Sequence, residues 1–282
     1  MTGDVQMIKD QEARFRWKGF PWWLVAIIGF LGLMLLLILT NEDYNRAFNF
    51  IRGGFGGVEG LGDGGWEGFI GTGITLTIYT TLVAFAIALL IGLLAGLGRV
   101  SQNAVIRNVA ITYVEFIRGV PTLVLIFTVA YVIVPAVADT LGISGQIITP
   151  AVRGISALSI IYGAFLAEVF RAGIESVPGG QMEAARSLGL NGGQAMRHVI
   201  LPQAIRNVLP ALGNDFIAML KDSSLISVLA VRDITQQARL FAGSTFRFRE
   251  SYLVLTFLYL TMTIALSLLL RWYERRLRQN AR

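Results

Sequence analysis

The charges of this chain are spaced so that long stretches carry none. Trp22–Thr40, Gly68–Gly98, Gly119–Ala138 and Ser251–Leu270 are uncharged and mostly apolar. Gly154–Gly173 and Asn207–Val231 are similar but interrupted, the first by Glu168 and Arg171, the second by Asp215, Lys221 and Asp222. Crossing a hydrocarbon core of about 30 Å takes about 20 helical residues. Lipid offers no partner to a free backbone group, so such spans must be helical. The pattern predicts an all-α integral membrane protein with about six transmembrane helices.

Composition agrees. Of the 282 residues, 54% are hydrophobic and 15% charged, against roughly 45–50% and 25% in soluble domains. A water-soluble monomer and a disordered chain are both excluded. There is no cysteine, and the single histidine, His198, leaves no basis for a metal site or a Ser-His-Asp triad. The net charge of +6 reads as topology. With the N-terminus inside, six spans place fifteen of the 24 Lys and Arg on the inner side and seven outside, which fits both termini facing the cytoplasm. The Arg-bearing stretch 232–249 fits this least well. Arg275, Arg276 and Arg278 read as an interfacial anchor, and no nucleic-acid partner is expected.

The first apolar segment has a basic flank, Lys9, Arg14, Arg16 and Lys18, but it is too long for a signal peptide and lacks a small-residue cleavage site. A retained anchor is expected, with Trp17, Trp22 and Trp23 at the interface. The Gly-rich stretch 53–68 reads as an external linker.

Chemistry is mostly absent. The lysines are Lys9, Lys18 and Lys221, none following a glycine, so there is no phosphate-cradling loop for ATP. No catalytic constellation is present, and attention shifts to the longest inner segment, 174–206. It contains a helical stretch, Gln181–Leu188, a stop at Gly189 and a second start at Asn191. Small Ala184 and Ala185 would let another surface approach closely, and Glu183 offers a fixed charge. The same pattern also suits an ordinary capped loop helix.

The spacing Glu183-Ala184-Ala185, three residues, Gly189, nine residues, Val199, one residue, Leu201-Pro202 resembles the EAA loop of ABC importer permeases. Val199 stands where that loop usually has isoleucine. The flanking Arg171-Ala172-Gly173-Ile174, Pro178-Gly179-Gly180-Gln181 and Arg186-Ser187-Leu188-Gly189-Leu190 resemble the polar amino acid importers of the histidine, glutamine, glutamate and arginine group. So do Glu115–Pro121, Ala167-Glu168 and Lys221–Leu225. The resemblance spans residues 69–276. It implies a five-helix permease core (69–276) with a cytoplasmic coupling loop (174–206). The anchor and linker (1–68) precede it and a short tail (277–282) follows.

The resemblance further implies that Glu183, Ala184, Ala185, Arg186, Gly189, Leu201 and Pro202 couple the chain to a separate cytoplasmic ATPase dimer. ATP and Mg would be held there, and this chain would bind no cofactor itself. A second permease subunit, the same or related, and an extracytoplasmic amino acid binding protein complete the implied assembly in a bacterial plasma membrane. An ion-coupled secondary transporter and a non-transporting scaffold are the rival readings; neither accounts for the EAA-like loop.

Ionisable groups inside spans are costly and are usually paired or functional. Glu115 with Arg118, and Glu168 with Arg171, lie three apart on one helix face and are expected to form structural ion pairs. Asp215 lies near mid-span beside Asn214, with Lys221 two turns on. Asp215 and Lys221 could meet the ammonium and carboxylate of a zwitterionic substrate, or pair internally. Ser159 and Tyr162 are further pathway candidates.

Overall fold

In a computed structural model, residues 22–53 and 71–279 are described. The basic flank, Trp17, most of the Gly-rich stretch and Arg282 lie outside them. Within the described residues the chain is helical, with one isolated bridge, Gly73 to Asp233. Among the described residues four helices are long and apolar enough to cross a membrane: Ile74–Arg99, Thr122–Leu141, Pro150–Glu175 and Phe248–Glu274.

The first apolar segment is α1 (Trp22–Thr40), followed after a 103° bend by α2 (Glu42–Arg52). Asn41 makes the bend, its side chain accepting from the Asp43 N–H at 2.9 Å. Such a cap satisfies one of the free N–H groups of the first turn. Glu42 and Asp43 in that first turn and Arg52 in the last suit the helix dipole. α2 buries Tyr44, Ala47 and Ile51, one face of the helix. Counting α1 and α2 as one bent span gives up to five.

The centre of the molecule is the pair α3 (Ile74–Arg99) and α7 (Pro150–Glu175). They approach closely because a Cβ on Gly92 would stand 2.6 Å from the Cβ of Leu166, and one on Gly96 would stand 2.8 Å from that of Phe170. Small residues of this kind let membrane helices pack backbone to backbone. Thr77, Thr80 and Thr81 of α3 are buried, yet their hydroxyls donate one turn back to Gly73, Leu76 and Thr77 carbonyls at 2.7–2.9 Å.

Between these two helices come α4 (Ala104–Gly119), α5 (Thr122–Thr128) and α6 (Val134–Leu141). Pro121 separates α4 from α5, and a π-helical stretch, Val129–Ile133, joins α5 to α6. After α7 come α8 (Gly179–Ser187), α9 (Gly192–Ala195) and α10 (Leu201–Asp222), with a second π stretch, Met196–Ile200, between the last two. Both π stretches stand immediately before a helix whose second residue is proline, Pro135 and Pro202. Proline has no N–H for the carbonyl one turn back, and a widened turn absorbs the lost bond.

α10 is the fifth core helix expected from Asn207–Val231, but it starts earlier and ends at Asp222. Its polar residues leave it outside the four spans that qualify on length and apolarity. Ser223–Leu229 is a 3₁₀ segment, and α11 (Ile234–Thr245) and α12 (Phe248–Gln279) complete the fold.

Three apolar clusters hold it together. The largest joins α3, α7, the α5–α6 span and α10. A second joins Met34 and Ile38 of α1 and the buried face of α2 to Ile234, Phe241, Val254 and Leu258 of α11 and α12. Asp43 reinforces it by pairing with Arg247. The third, Ile174, Val177, Ile200 and Ala204, lies where the 176–200 segment leaves and rejoins the bundle.

Candidate functional site

The 176–200 segment folds into two short helices with a tight joint. α8 ends at Gly189, whose φ of +85° is a conformation that favours glycine. There the Gly189 and Leu190 N–H groups bond back to the Arg186 and Ala185 carbonyls at 3.0 and 3.2 Å. This is the Schellman arrangement that ends a helix on a left-handed residue. α9 starts at Asn191 with a capping box: Asn191 accepts from the Gln194 N–H at 2.9 Å, and the Gln194 side chain accepts from the Asn191 N–H at 3.0 Å.

The residues of the Glu-Ala-Ala motif separate by face. Glu183, Ala184 and Arg186 are exposed, whereas Ala185 is 4% exposed and packs inward. The two alanines therefore face different ways: Ala184 points outward, and Ala185 seats the helix on its own protein. Leu188, just before the glycine, is 84% exposed. Exposure of that degree at a helix end was not legible from the motif. Pro202 is the second residue of α10, at the entry to that helix, and lies within the helical run from Gly192 to Asp222. Leu201 is partly buried beside it.

At this end of the bundle Glu168 and Arg171 pair as expected, Nη2 to Oε1 2.5 Å. Glu168 also holds Arg99 of α3. Arg171 reaches Glu175, Nη1 to Oε2 2.5 Å. Glu115 and Arg118 are both exposed and form no ion pair with each other, contrary to expectation. Their spacing permits pairing but does not impose it.

Tyr162 is buried on α7, and its hydroxyl donates to Asp222 Oδ2 at 2.8 Å. Asp215 acts electrostatically on the same phenol. Asp215 and Asp222 are seven residues apart, which places them on one face of α10. That spacing was the missed signal for Asp222. Lys221, six residues from Asp215, points about a third of a turn away. It lines a groove of about 460 Å³ with Ser224, Thr235, Thr256, Tyr259 and Thr263. Asp215 and Lys221 form no ion pair with each other among the described residues. Asn214 is exposed. Ser159 sits buried in the α3–α7 seam, its hydroxyl donating to the Ala84 and Ile155 carbonyls at 3.2 and 2.7 Å.

The pattern of binding-protein-dependent transport system inner membrane components matches residues 88–279. The chain belongs to this family. The permease is 36% identical over 202 residues to the probable amino-acid permease protein YxeN of Bacillus subtilis, covering 72% of this chain and 88% of that protein. It is 35% identical over 215 residues to the histidine/lysine/arginine/ornithine transport system permease protein HisQ of Salmonella typhimurium, covering 75% and 94%.

Among solved structures, an amino acid ABC transporter crystallised with histidines shares 42% identity with the permease at a TM-score of 0.63, over 72% of this chain and 92% of that one. A bacterial ABC transporter for the polysaccharide alginate shares the fold at 15% identity and a TM-score of 0.53 over 98% of this chain. The family match begins within α3, so α1 and α2 stand outside it. The permease is a membrane-spanning subunit of the ABC importer type, a class that works with an ATPase and a binding protein.

Proposed function

We propose that this permease forms the translocation pathway for polar or charged L-amino acids across a bacterial plasma membrane, with both termini and the 174–206 segment in the cytoplasm. α8 is the coupling helix, seated in a groove of a separate ATPase dimer that holds ATP and Mg. The observation that carries this reading is the free outer face of α8. Glu183, Ala184, Arg186 and Leu188 are exposed side by side, and none makes an ion pair within the described residues. A small residue flanked by two charges and an exposed leucine suits a close-fitting protein partner.

A second permease chain, identical or related, and an external binding protein complete the importer. In the membrane, Asp215 and Asp222 beside Tyr162 supply the anionic side that a substrate ammonium needs. Lys221 faces elsewhere, so the substrate carboxylate takes its partner from another surface. The permease core is 69–276, and the segment 1–68 is an addition to it.

Reconstitution with and without the co-purifying ATPase and binding protein tests the reading. ATP-dependent uptake by the complex alone is expected. Gradient-driven uptake by the permease on its own would overturn it.

A further inference from the structure

The α8 ends of α3 and α7 are joined by charge as well as by close packing. Glu168 stands between Arg99 on the last turn of α3 and Arg171 on its own helix, and Arg171 continues to Glu175. The Arg99 side chain is only 13% exposed, so solvent screens the pair weakly. Among the described residues the Nε atoms of Arg99 and Arg171 find no acceptor. The carboxylates in reach are already engaged, and Glu168 is the sole ion-pair partner of Arg99 among the described residues. Removing Glu168 would leave a largely buried cation unmatched, a more serious loss than that of a surface pair.

The backbone geometry points the same way. One turn inward from Arg99, Gly96 lies against Phe170, and a turn further Gly92 lies against Leu166. Toward the loop, Leu97 of α3 and Val100 just after it pack on Ile174 and Val177, together with Met182 of α8. Only Ser176, Val177 and Pro178 separate α7 from α8. That joint is taut: Val177 is buried, and Ser176 donates to the Gly173 carbonyl at 2.7 Å while accepting from Asn207 of α10 at 2.9 Å.

We propose that the Arg99–Glu168–Arg171–Glu175 chain fastens α3 to α7 as a single lever that carries the movement of α8 into the bilayer, with Glu168 as its positioning residue. The proposal rests on the reading of α8 as the ATPase-facing helix. Neither α3 nor α7 moves alone: a push on α8 reaches α7 through the three-residue joint and α3 through Glu168.

The test uses the whole importer in proteoliposomes, with ATP hydrolysis and uptake of radiolabelled L-arginine, L-histidine, L-glutamine and L-glutamate measured in the same vesicles. Glu168→Gln is expected to keep hydrolysis while uptake per ATP falls at least about fivefold, the lower range of a typical coupling free energy.

Because the chain has no cysteine, Arg99→Cys with Glu168→Cys can be bridged by a short bifunctional thiol reagent. The unbridged protein is expected to be uncoupled and the bridged one recoupled. Loss of uptake on bridging would show that the two ends must part, and would overturn the proposal. So would hydrolysis and uptake falling in proportion in Glu168→Gln, the mark of a merely structural role. Absence of ATP-dependent uptake in the unmodified importer would overturn the reading of α8 as well, and so separates the two failures.

Discussion

Asp233 shows how much a single residue can conceal. It caps α11, its Oδ1 accepting from the Gln236 N–H at 2.8 Å, while its Oδ2 has no partner among the described residues. It is 0% exposed. Burial pushes its carboxyl up to about 7, against the weaker opposing pull of its hydrogen bonds and of Arg239. A carboxyl whose folded pKa lies above its unfolded value adds stability at low pH and loses it as pH rises through the folded pKa. Between pH 5.5 and 8 the loss comes to about 2 kcal/mol. The thermal midpoint in detergent is expected to fall over that range, and Asp233→Asn, which keeps a good cap, should flatten the dependence. A pH-independent midpoint in the unmodified protein would refute this. Asp215 makes a different test. If it meets a substrate ammonium, Asp215→Asn removes a charged hydrogen bond worth about 1.5–3 kcal/mol. Apparent substrate affinity should then weaken roughly tenfold to a hundredfold. Unchanged uptake with normal assembly would remove Asp215 from the pathway.

At the scale of elements, α8 is read most sharply by its two alanines. Ala184→Arg places a long cation on an exposed face and is expected to leave folding within about 0.5 kcal/mol. It should block stimulation of the partner ATPase. Ala185→Arg forces the same group into a packed face and should lower expression and thermal stability instead. Equal behaviour of the two variants would mean that the helix does not sit as described. The seam of α3 and α7 offers a companion case. A valine at Gly96 would meet Phe170 and the Ala167 backbone, where overpacking typically costs about 1–3 kcal/mol. These elements were legible because their signals are local. An apolar run, a glycine stop and a Glu-Ala-Ala spacing all lie within a few turns of helix. α2 was not legible, because Glu42–Arg52 is neither apolar nor motif-bearing. Its buried Tyr44, Ala47 and Ile51 acquire meaning only against α11 and α12.

For the molecule as a whole, the bent α1–α2 unit is the feature that the family match leaves out. It braces the opposite end of the bundle from α8, through the apolar cluster with Phe241, Val254 and Leu258, the Asp43–Arg247 pair and ring contacts of Phe50 with Phe241 and of Phe48 with Phe257. Ile51→Ala should cost about 2–5 kcal/mol, as for other buried truncations. Removing residues 1–70 is expected to lower the thermal midpoint in detergent yet leave co-purification with the ATPase intact, because α8 and its joint lie at the other end. Loss of that co-purification with the midpoint unchanged would contradict the division.

The sequence by itself determined the helical membrane architecture, the Glu-Ala-Ala helix with its glycine stop and the Glu168–Arg171 pair. Each depends on residues close along the chain, where hydrophobic length and helical period act directly. The tertiary structure decided the rest. It turned Ala184 outward and Ala185 inward, gave Glu168 a second partner 69 residues away in Arg99, and joined Tyr162 to Asp222 across 60 residues. Such choices depend on how close-packed helices are rotated against one another, and the period of a single helix does not carry that information.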